Sequence, residues 1–162
     1  MAKQDIVGDE ILVATFLLGQ ALFGVDTSQI QEVVRVGEIT PVHHAPNYVA
    51  GIRNLRGRIV TVIDLRTRLD LGKIEYSSET RILIVECQNE PVGLLVDQVA
   101  ETVAVDVNSI QPPPSNVNGV QSHNLRGVCR ATDRLVAVLN LEPVLNTQEI
   151  SVANNQPVTG RS

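Results

Sequence analysis

The strongest constraint on the fold of this chain is an internal repeat. Residues 51–65 return as residues 127–141, and each copy contains a glycine, an apolar run of strand length and then a polar residue. That polar residue, Asp64 or Asn140, stands 13 positions after the glycine in both copies (64 − 51 = 13 and 140 − 127 = 13). The pattern predicts a degenerate tandem duplication.

The repeat extends upstream of these two segments. Residues 23–26 and 30–33 are similar to residues 94–97 and 99–103, so the two halves are offset by 71 to 76 positions. A half of that length buries too little apolar surface to be stable alone. We therefore expect the halves to share one hydrophobic interface and to fold as a unit.

Short apolar runs between turn signals predict strands. Val, Ile and Leu make up 53 of the 162 residues, and the excess of β-branched types favours sheets. Gly, Asn and Pro separate the runs, as in β-barrels and sandwiches. The predicted strands are residues 11–18, 21–25, 31–36, 59–63, 81–87, 92–96, 102–107 and 135–139.

Helices are predicted to be brief. Asp26 begins a capping-box pattern, and Asp64 can cap a helix at residues 65–71. Asp97 and Asn140 stand at similar places after strands. We expect all four side chains to act as N-caps.

Composition excludes several classes of function. The formal charge is 13 − 18 = −5 and only four residues are aromatic, so the basic stripe and stacking rings of nucleic-acid binding are missing. No apolar run approaches the ~20 residues of a membrane-spanning helix, and residues 1–10 do not resemble a secretory signal. We expect a cytoplasmic protein without direct membrane insertion, in which Cys87 and Cys129 are reduced, buried thiols.

Catalytic and metal-binding residues do not occur in a useful pattern. Two similar halves with aspartates after strands suggest an aspartic protease, but Asn140 has no carboxylate and N-capping accounts for the whole set. His43 and His44 would point to opposite faces of a strand, and His123 has no acidic or thiol partner at useful spacing. We expect a binding module without cofactor or metal rather than an enzyme, with a hydrolase as the remote alternative.

Positive charge is concentrated in one segment of the chain. There are 11 arginines and 2 lysines, and five of the arginines fall within 16 positions: Arg53, Arg56, Arg58, Arg66 and Arg68. A guanidinium-rich segment in an acidic protein suggests a site that meets carboxylates on a partner.

Within that segment, a turn is predicted at residues 54–57. It would lift Leu55 and Arg56 out of the sheet as exposed side chains, with Gly57 supplying backbone freedom. Residues 130–133 of the second half read Arg-Ala-Thr-Asp, so the repeat itself does not require the arginine. This asymmetry favours a contact site over an ordinary solvated turn.

These residues resemble the CheW family of bacterial chemotaxis coupling proteins, and the match runs from about residue 11 to residue 145. Thr61 and Asn140 depart from the family's usual proline and aspartate, but both suit strand and cap roles. The motif residues are Asn54-Leu55-Arg56-Gly57, preceded by Pro46, Val49 and Gly51 and followed by Val60, Val62, Asp64 and Leu65; further matches lie at 23–26, 92–97 and 127–128.

The resemblance implies an all-β fold of two five-stranded SH3-like β-barrel subdomains that share a hydrophobic interface, with a few short helices. A single CheW-like domain is expected at residues 11–146, between a flexible N-terminus at 1–10 and a disordered tail at 147–162.

The resemblance also implies a non-enzymatic adaptor. Such a protein joins the cytoplasmic tips of methyl-accepting chemoreceptors to the regulatory domain of the histidine kinase CheA, in membrane-associated receptor arrays. The receptor hairpin would dock between the barrels, and the barrel ends would pair with the kinase. Flagellar and non-flagellar, twitching-type outputs both stay open.

Carried over by position, the resemblance places nine residues at or near partner surfaces. For Ile30 and Val33, the sequence alone favours burial in the core. The nine are Arg56, Leu55, Asn54 and Arg53 at the turn, Ile30, Glu32 and Val33 near the groove, and Val96 and Val99 on the second barrel.

Overall fold

The computed structural model describes residues 9–117 and 119–145. The predicted tail at 147–162 and residues 1–8 of the predicted flexible N-terminus lie outside the described residues. The strands of the described part are β1 (Glu10–Leu18), β2 (Ala21–Asp26), β3 (Ile30–Arg35), β4 (Val49–Leu55), β5 (Arg58–Asp64), β6 (Arg81–Cys87), β7 (Glu90–Val96), β8 (Gln98–Asp106), β9 (Asn116–Val117), β10 (Val120–Gln121), β11 (Leu125–Ala131) and β12 (Arg134–Leu139). Its helices are α1 (Leu65–Arg68) and α2 (Leu141–Leu145), and single 3₁₀ turns follow β2, β8 and β10.

Ten of these strands form two five-stranded sheets. Sheet A has the order β11-β12-β2-β1-β8, and sheet B has the order β3-β6-β7-β5-β4. Strands β9 and β10 form a separate small hairpin. The predicted all-β architecture of two five-stranded units is confirmed.

The two halves of the sequence exchange their leading hairpins. The first half supplies β1 to β5 and α1, and the second half supplies the counterparts β6, β7, β8, β11, β12 and α2. Hairpin β1–β2 nevertheless lies in sheet A among second-half strands, whereas β6–β7 lies in sheet B among first-half strands. Each hairpin is joined by a parallel pairing, in which Val138 faces Gly24 or Val62 faces Gly93. Neither half can therefore unfold or separate on its own, because this would remove a two-stranded hairpin from the sheet formed by the other half.

A shared core holds the sheets together, and each sheet also has a core of its own. Alternate residues of β6 serve different cores, because Leu83 belongs to the shared core and Ile82 and Ile84 to the core of sheet B. Phe16 and Phe23 stack inside the shared core with ring centroids 6.3 Å apart. The largest fully buried members of the shared core are Phe16, Phe23, Ile63, Leu65, Leu83, Leu94 and Leu139.

Most of the expected helix caps are present. Asp26, Asp64 and Asn140 each accept a hydrogen bond from a backbone N–H two or three residues downstream. The prediction for Asp97 is wrong, because β8 begins at the next residue. Its carboxylate instead accepts a hydrogen bond from the N–H of Gly19 in the β1–β2 turn, at 2.6 Å.

The repeat glycines allow another segment of backbone to approach the strand. A Cβ at Gly51 would lie 2.3 Å from the carbonyl oxygen of Thr40, and one at Gly127 would lie 2.5 Å from that of Gln111. Each approaching residue makes two backbone hydrogen bonds of 2.8–2.9 Å to the residue that follows the glycine. The glycine that begins each copy of the repeat thus lies at the same close backbone contact in both halves.

Gly51→Ala is expected to lower the free energy of unfolding by about 2–3 kcal/mol, because the added methyl must displace backbone. Gly57→Ala is the matched control: its φ is also positive, at 87°, but no atom lies within 4 Å of the added Cβ. The control should lose only about 1 kcal/mol for the strained backbone. Urea unfolding followed by circular dichroism measures both, and equal losses would contradict the close-contact explanation.

Candidate functional site

The candidate site is built on the tight turn between β4 and β5. Arg56 and Gly57 form the turn with φ values of 53° and 87°, the left-handed pair of a two-residue hairpin. The side-chain oxygen of Asn54 accepts a hydrogen bond from the N–H of Gly57 at 2.8 Å. Asn54 and Leu55 still belong to β4, so the turn is shorter than the predicted 54–57.

An ion pair fixes the direction of the Arg56 side chain. Its guanidinium donates to the carboxylate of Glu32 on β3, and the Arg56 side chain is 67% exposed. Strands β3 and β4 lie at opposite ends of the order of sheet B. The sheet is therefore curled far enough for side chains from both edges to meet, and the turn is held rather than free.

Burial corrects the predictions for several neighbours. Leu55 is half-buried against the core of sheet B, so the expectation that it is exposed is wrong. Val33 is 46% exposed, so the expectation of core burial is wrong for this residue, whereas Ile30 is half-buried against the shared core. Val33 on β3 and Ile59 on β5, each 46% exposed, are the large aliphatic side chains that the strands of sheet B leave exposed.

The residues predicted on the second barrel differ from each other. Val96 ends β7 in sheet B, the sheet of the Arg56 turn, so its predicted place on the second barrel is wrong. Its side chain is fully buried in the shared core. Val99 is the second residue of β8 and is half-buried against the same core. Ile30 and Val99 occupy equivalent edge strands, β3 of sheet B and β8 of sheet A, and both pack against the shared core.

The arginine-rich segment divides into internal and external members. Arg68 donates from Nε to the carbonyl oxygen of Val144 at 2.9 Å and from Nη2 to that of Pro143 at 3.1 Å. Its guanidinium also lies 5.4 Å from the ring centroid of Tyr48. Arg66 lies 3.5 Å from a carboxylate oxygen of Asp97. These two side chains stabilise the junction between the halves and are not available to a partner.

Arg53 lies between these extremes. It is half-buried, and its guanidinium packs on the backbone of Gly37, where a Cβ would come within 2.5 Å of Nε. The Nε and Nη1 atoms are buried without a hydrogen-bond partner among the described residues. Arg56 and Arg58 are thus the exposed cations of the segment.

The second half presents a different turn at the equivalent place. Thr132 and Asp133 adopt the same left-handed conformation, with φ of 50° and 64°, but carry no cation. Leu135, the counterpart of Ile59, is likewise 46% exposed. Sequence reasoning missed both exposed aliphatics. The sequence does contain a signal for this exposure. Each residue is the second one after its turn, at the exposed start of a strand whose later residues are buried on both faces.

The aspartates do not form a catalytic dyad. Asp26 lies 3.8 Å from Arg126, Asp97 pairs with Arg66, and Asp64 accepts backbone N–H bonds at the start of α1. Each carboxylate is engaged by a different partner, whereas an aspartic protease needs two that share a proton. Within the described residues, no three His, Cys, Asp or Glu side chains are grouped to hold a metal ion. Neither α-helix there is long and apolar enough to cross a membrane.

Comparisons with known proteins give consistent matches. The family model of the CheW-like domain matches residues 12–149. The chemotaxis protein CheW of Treponema pallidum is 30% identical over 159 residues, which cover 96% of this chain and 92% of that protein. Protein FrzA of Myxococcus xanthus is 29% identical over 134 residues, 82% of this chain and 83% of that protein. The crystal structure of the scaffolding protein TtCheW from Thermoanaerobacter tengcongensis matches with a TM-score of 0.80 and 33% identity, covering 91% of this chain and 96% of that one.

Replacing the arginines one at a time separates their roles. Arg68→Gln is expected to lower the free energy of unfolding by about 1–3 kcal/mol, since it removes charge-assisted hydrogen bonds to two carbonyls. Arg58→Gln, on the exposed hairpin, should change it by less than about 0.5 kcal/mol. Chemical denaturation of both variants checks this, and equal effects would mean that the junction does not depend on Arg68.

The thiols are expected to react slowly and in order. Cys129 is 3% exposed, whereas Cys87 is only half-buried, which departs from the expectation for that residue. Burial raises the pKa of both thiols. The reactive thiolate is therefore scarcer at neutral pH than in a free cysteine, and it grows as pH rises toward the raised pKa.

Iodoacetamide labelling of the folded chain at several pH values, read by mass spectrometry, measures this reactivity. Cys87 should be modified before Cys129, and both rates should still be rising at a pH where glutathione has levelled off. Urea-unfolded chain is the control, and matching folded and unfolded rates would contradict the prediction.

Proposed function

This chain belongs to the CheW family of chemotaxis coupling proteins, and from that premise we propose that it is a non-enzymatic adaptor between methyl-accepting chemoreceptors and the histidine kinase CheA. Association with membrane-bound receptor arrays follows from those two partners. The observation that carries the proposal at residue level is the Arg56 turn, an exposed cation held in one direction on an otherwise acidic protein.

The turn is suited to recognising an acidic partner. A guanidinium presents several N–H donors in a planar arrangement that fits a carboxylate, so a partner glutamate can share or replace Glu32. Val33 and Ile59 are exposed aliphatic side chains of the same sheet. Charge of this kind affects specificity and encounter more than raw affinity. The proposed contact set is Arg56 with Asn54, Glu32, Val33, Arg53 and Leu55 around it.

The seam between the sheets is the second proposed surface. Ile30 and Val99 are half-buried at equivalent positions of β3 and β8, at the edge of the shared core. A receptor helix that docks there would cover the exposed parts of both side chains. Because the two halves of the sequence exchange hairpins and the two sheets share a core, the seam and the Arg56 turn are held in a fixed relation. An adaptor needs such a relation to hold two partners in register.

A coupling protein of a non-flagellar chemosensory pathway is the second candidate. The match to protein FrzA favours it, since that relative aligns over most of both chains. The same adaptor chemistry serves either pathway. The two differ in the receptors bound, which pull-down with receptor tips from each pathway would separate.

Arg56→Glu is expected to weaken binding of the receptor tip or of the CheA regulatory domain at least tenfold, about 1.4 kcal/mol. The folded state should lose less than about 1 kcal/mol, because an exposed ion pair contributes little to stability. Pull-down and calorimetry measure the binding, and thermal unfolding measures the stability. Arg58→Glu makes the same charge change on the same hairpin and should alter binding less than threefold.

A second variant separates contact from support. Arg56→Glu combined with Glu32→Arg keeps an ion pair at the turn but reverses the charge that a partner meets. If Arg56 contacts the partner, this double variant folds normally and still binds poorly. Recovered binding would mean that the arginine only supports the turn, and unchanged binding in Arg56→Glu would remove it from the site.

A further inference from the structure

Equivalent strands of the two sheets present different side chains beside the shared core. In sheet A, Phe16 on β1 pairs with Val99 on β8, and in sheet B, Val85 on β6 pairs with Ile30 on β3. Both correspondences have an offset of 69 positions (85 − 16 = 69 and 99 − 30 = 69). The repeat therefore gives each position on one of these strand pairs a counterpart on the other.

The face of sheet B that covers the shared core ends in two arginines. Leu83 on β6 belongs to that core, and it pairs with Val33, which is 46% exposed on the edge strand β3. Alternate residues of a strand share a face, so the next pair on this face is Arg81 with Arg35. The face thus passes from a buried leucine to an exposed valine and then to two guanidinium groups.

These two arginines lie directly opposite each other without an acidic partner. Like charges at such positions destabilise a sheet. The ion pairs of the described residues are made by other arginines, so neither Arg35 nor Arg81 takes part in one there. Arg81 donates to the carbonyl oxygens of Ser78 and Thr80 at 3.0 and 2.9 Å, and Arg35 is exposed. A carboxylate supplied by a partner would offset the repulsion between the two cations.

On sheet A, the counterparts of these arginines are apolar. Arg81 corresponds to Leu12 and Arg35 to Ala104 (81 − 12 = 69 and 104 − 35 = 69). Leu12 on β1 also pairs directly with Ala104 on β8, and Leu12 is 54% exposed. The repeat thus keeps the pairing and changes its chemistry from cationic to aliphatic.

Beyond this apolar pair, the same face of sheet A becomes acidic. Glu10 and Asp106 form the next alternate pair, and both are exposed. Carboxylates of a partner that are attracted by the arginines of sheet B are therefore repelled by this end of sheet A. The two sides of the shared interface differ in charge as well as in polarity.

This difference bears on the receptor helix of the adaptor role proposed above, on which the inference rests. We propose that the helix docks along the seam in one orientation, with its carboxylates turned toward Arg35 and Arg81 of sheet B and its aliphatic side chains toward Leu12 of sheet A. A helix suits both sides at once, because one of its faces can be acidic and another apolar. Attraction at one sheet and repulsion at the other both contribute to such selectivity. Two like sides would hold the helix equally well either way round.

The test is a calorimetric titration of the full chain with the hairpin tip of a chemoreceptor. Arg35→Glu is the decisive variant, because it turns a like-charged cross-strand pair into an oppositely charged one. Its melting temperature should stay the same or rise, whereas the dissociation constant for the tip should rise at least tenfold. Arg130→Glu makes the same charge change at an exposed position of β11 and should alter the dissociation constant less than threefold. An equal loss in this control would overturn the assignment to the seam.

Photo-crosslinking reads the orientation of the helix directly. Benzoylphenylalanine in place of Val33 on sheet B should join the acidic face of the helix, and in place of Thr102, its counterpart on sheet A (102 − 33 = 69), the aliphatic face. Arg35→Ala combined with Arg81→Leu copies the sheet A pair, so in this variant each probe should join both faces. The proposal is wrong if each probe joins both faces in the wild-type chain.

The outcomes separate this inference from the adaptor role. Receptor binding that falls in Arg56→Glu but is unchanged in Arg35→Glu overturns the inference and leaves the adaptor role in place. A wild-type chain that binds no receptor tip overturns both. If sedimentation shows that Arg35→Glu dissociates a dimer while receptor binding is unchanged, the occupant of the seam is a second copy of this chain and the proposal is wrong.

Discussion

Burial of the shared core is the interaction on which the rest of the structure depends. Its aliphatic and aromatic members come from the inner faces of both sheets, and the two exchanged hairpins supply Phe16, Phe23, Leu83 and Leu94. Removal of this apolar surface from water is the dominant stabilising term in such a fold. Because each hairpin also carries residues of its sheet's own core, the three cores are parts of one cooperative unit. The positions of the Arg56 turn and of Ile30 and Val99 relative to one another depend on this unit, because the strands that carry them are packed through its cores.

Much of the fold could be predicted from the sequence, because the repeat and the strand periodicity are local signals. Strands β4 and β11 could not, since Gly51 and Gly127 interrupt their apolar pattern and each lies at a shift in the pairing register. The exchange of hairpins could not be predicted either. Two similar halves indicate two similar sheets, but similarity does not say which sheet a hairpin joins.

The site was predicted in outline, and the errors in it have physical causes. Arg56 and Gly57 form a turn at the expected place, but Leu55 stays on its strand and packs inward because two residues suffice for this hairpin. Val33 and Val34 are adjacent in a strand of period two, so only one of them can face the core. Val34 is the residue that faces the core, and two identical neighbouring side chains give no signal in the sequence that would distinguish them. Arg66 and Arg68 could not be told from the exposed Arg56 and Arg58, because their partners Asp97, Pro143 and Val144 lie far away in sequence.

The exchanged hairpins also govern the order in which the chain can fold. Strand β2 pairs with β12 more than 110 positions later, and β1 pairs with β8 about 90 positions later. During synthesis the first hairpin has no partner strand in sheet A until β8 is complete at Asp106, and its other neighbour, β12, follows only at residues 134–139. Sheet B, which is complete by Val96, can form first and offer half of the shared core as a template. In the meantime the waiting hairpin exposes unpaired edges and Phe16 and Phe23, so the same connectivity that joins the halves makes a second nascent copy a competitor for the vacant place in sheet A.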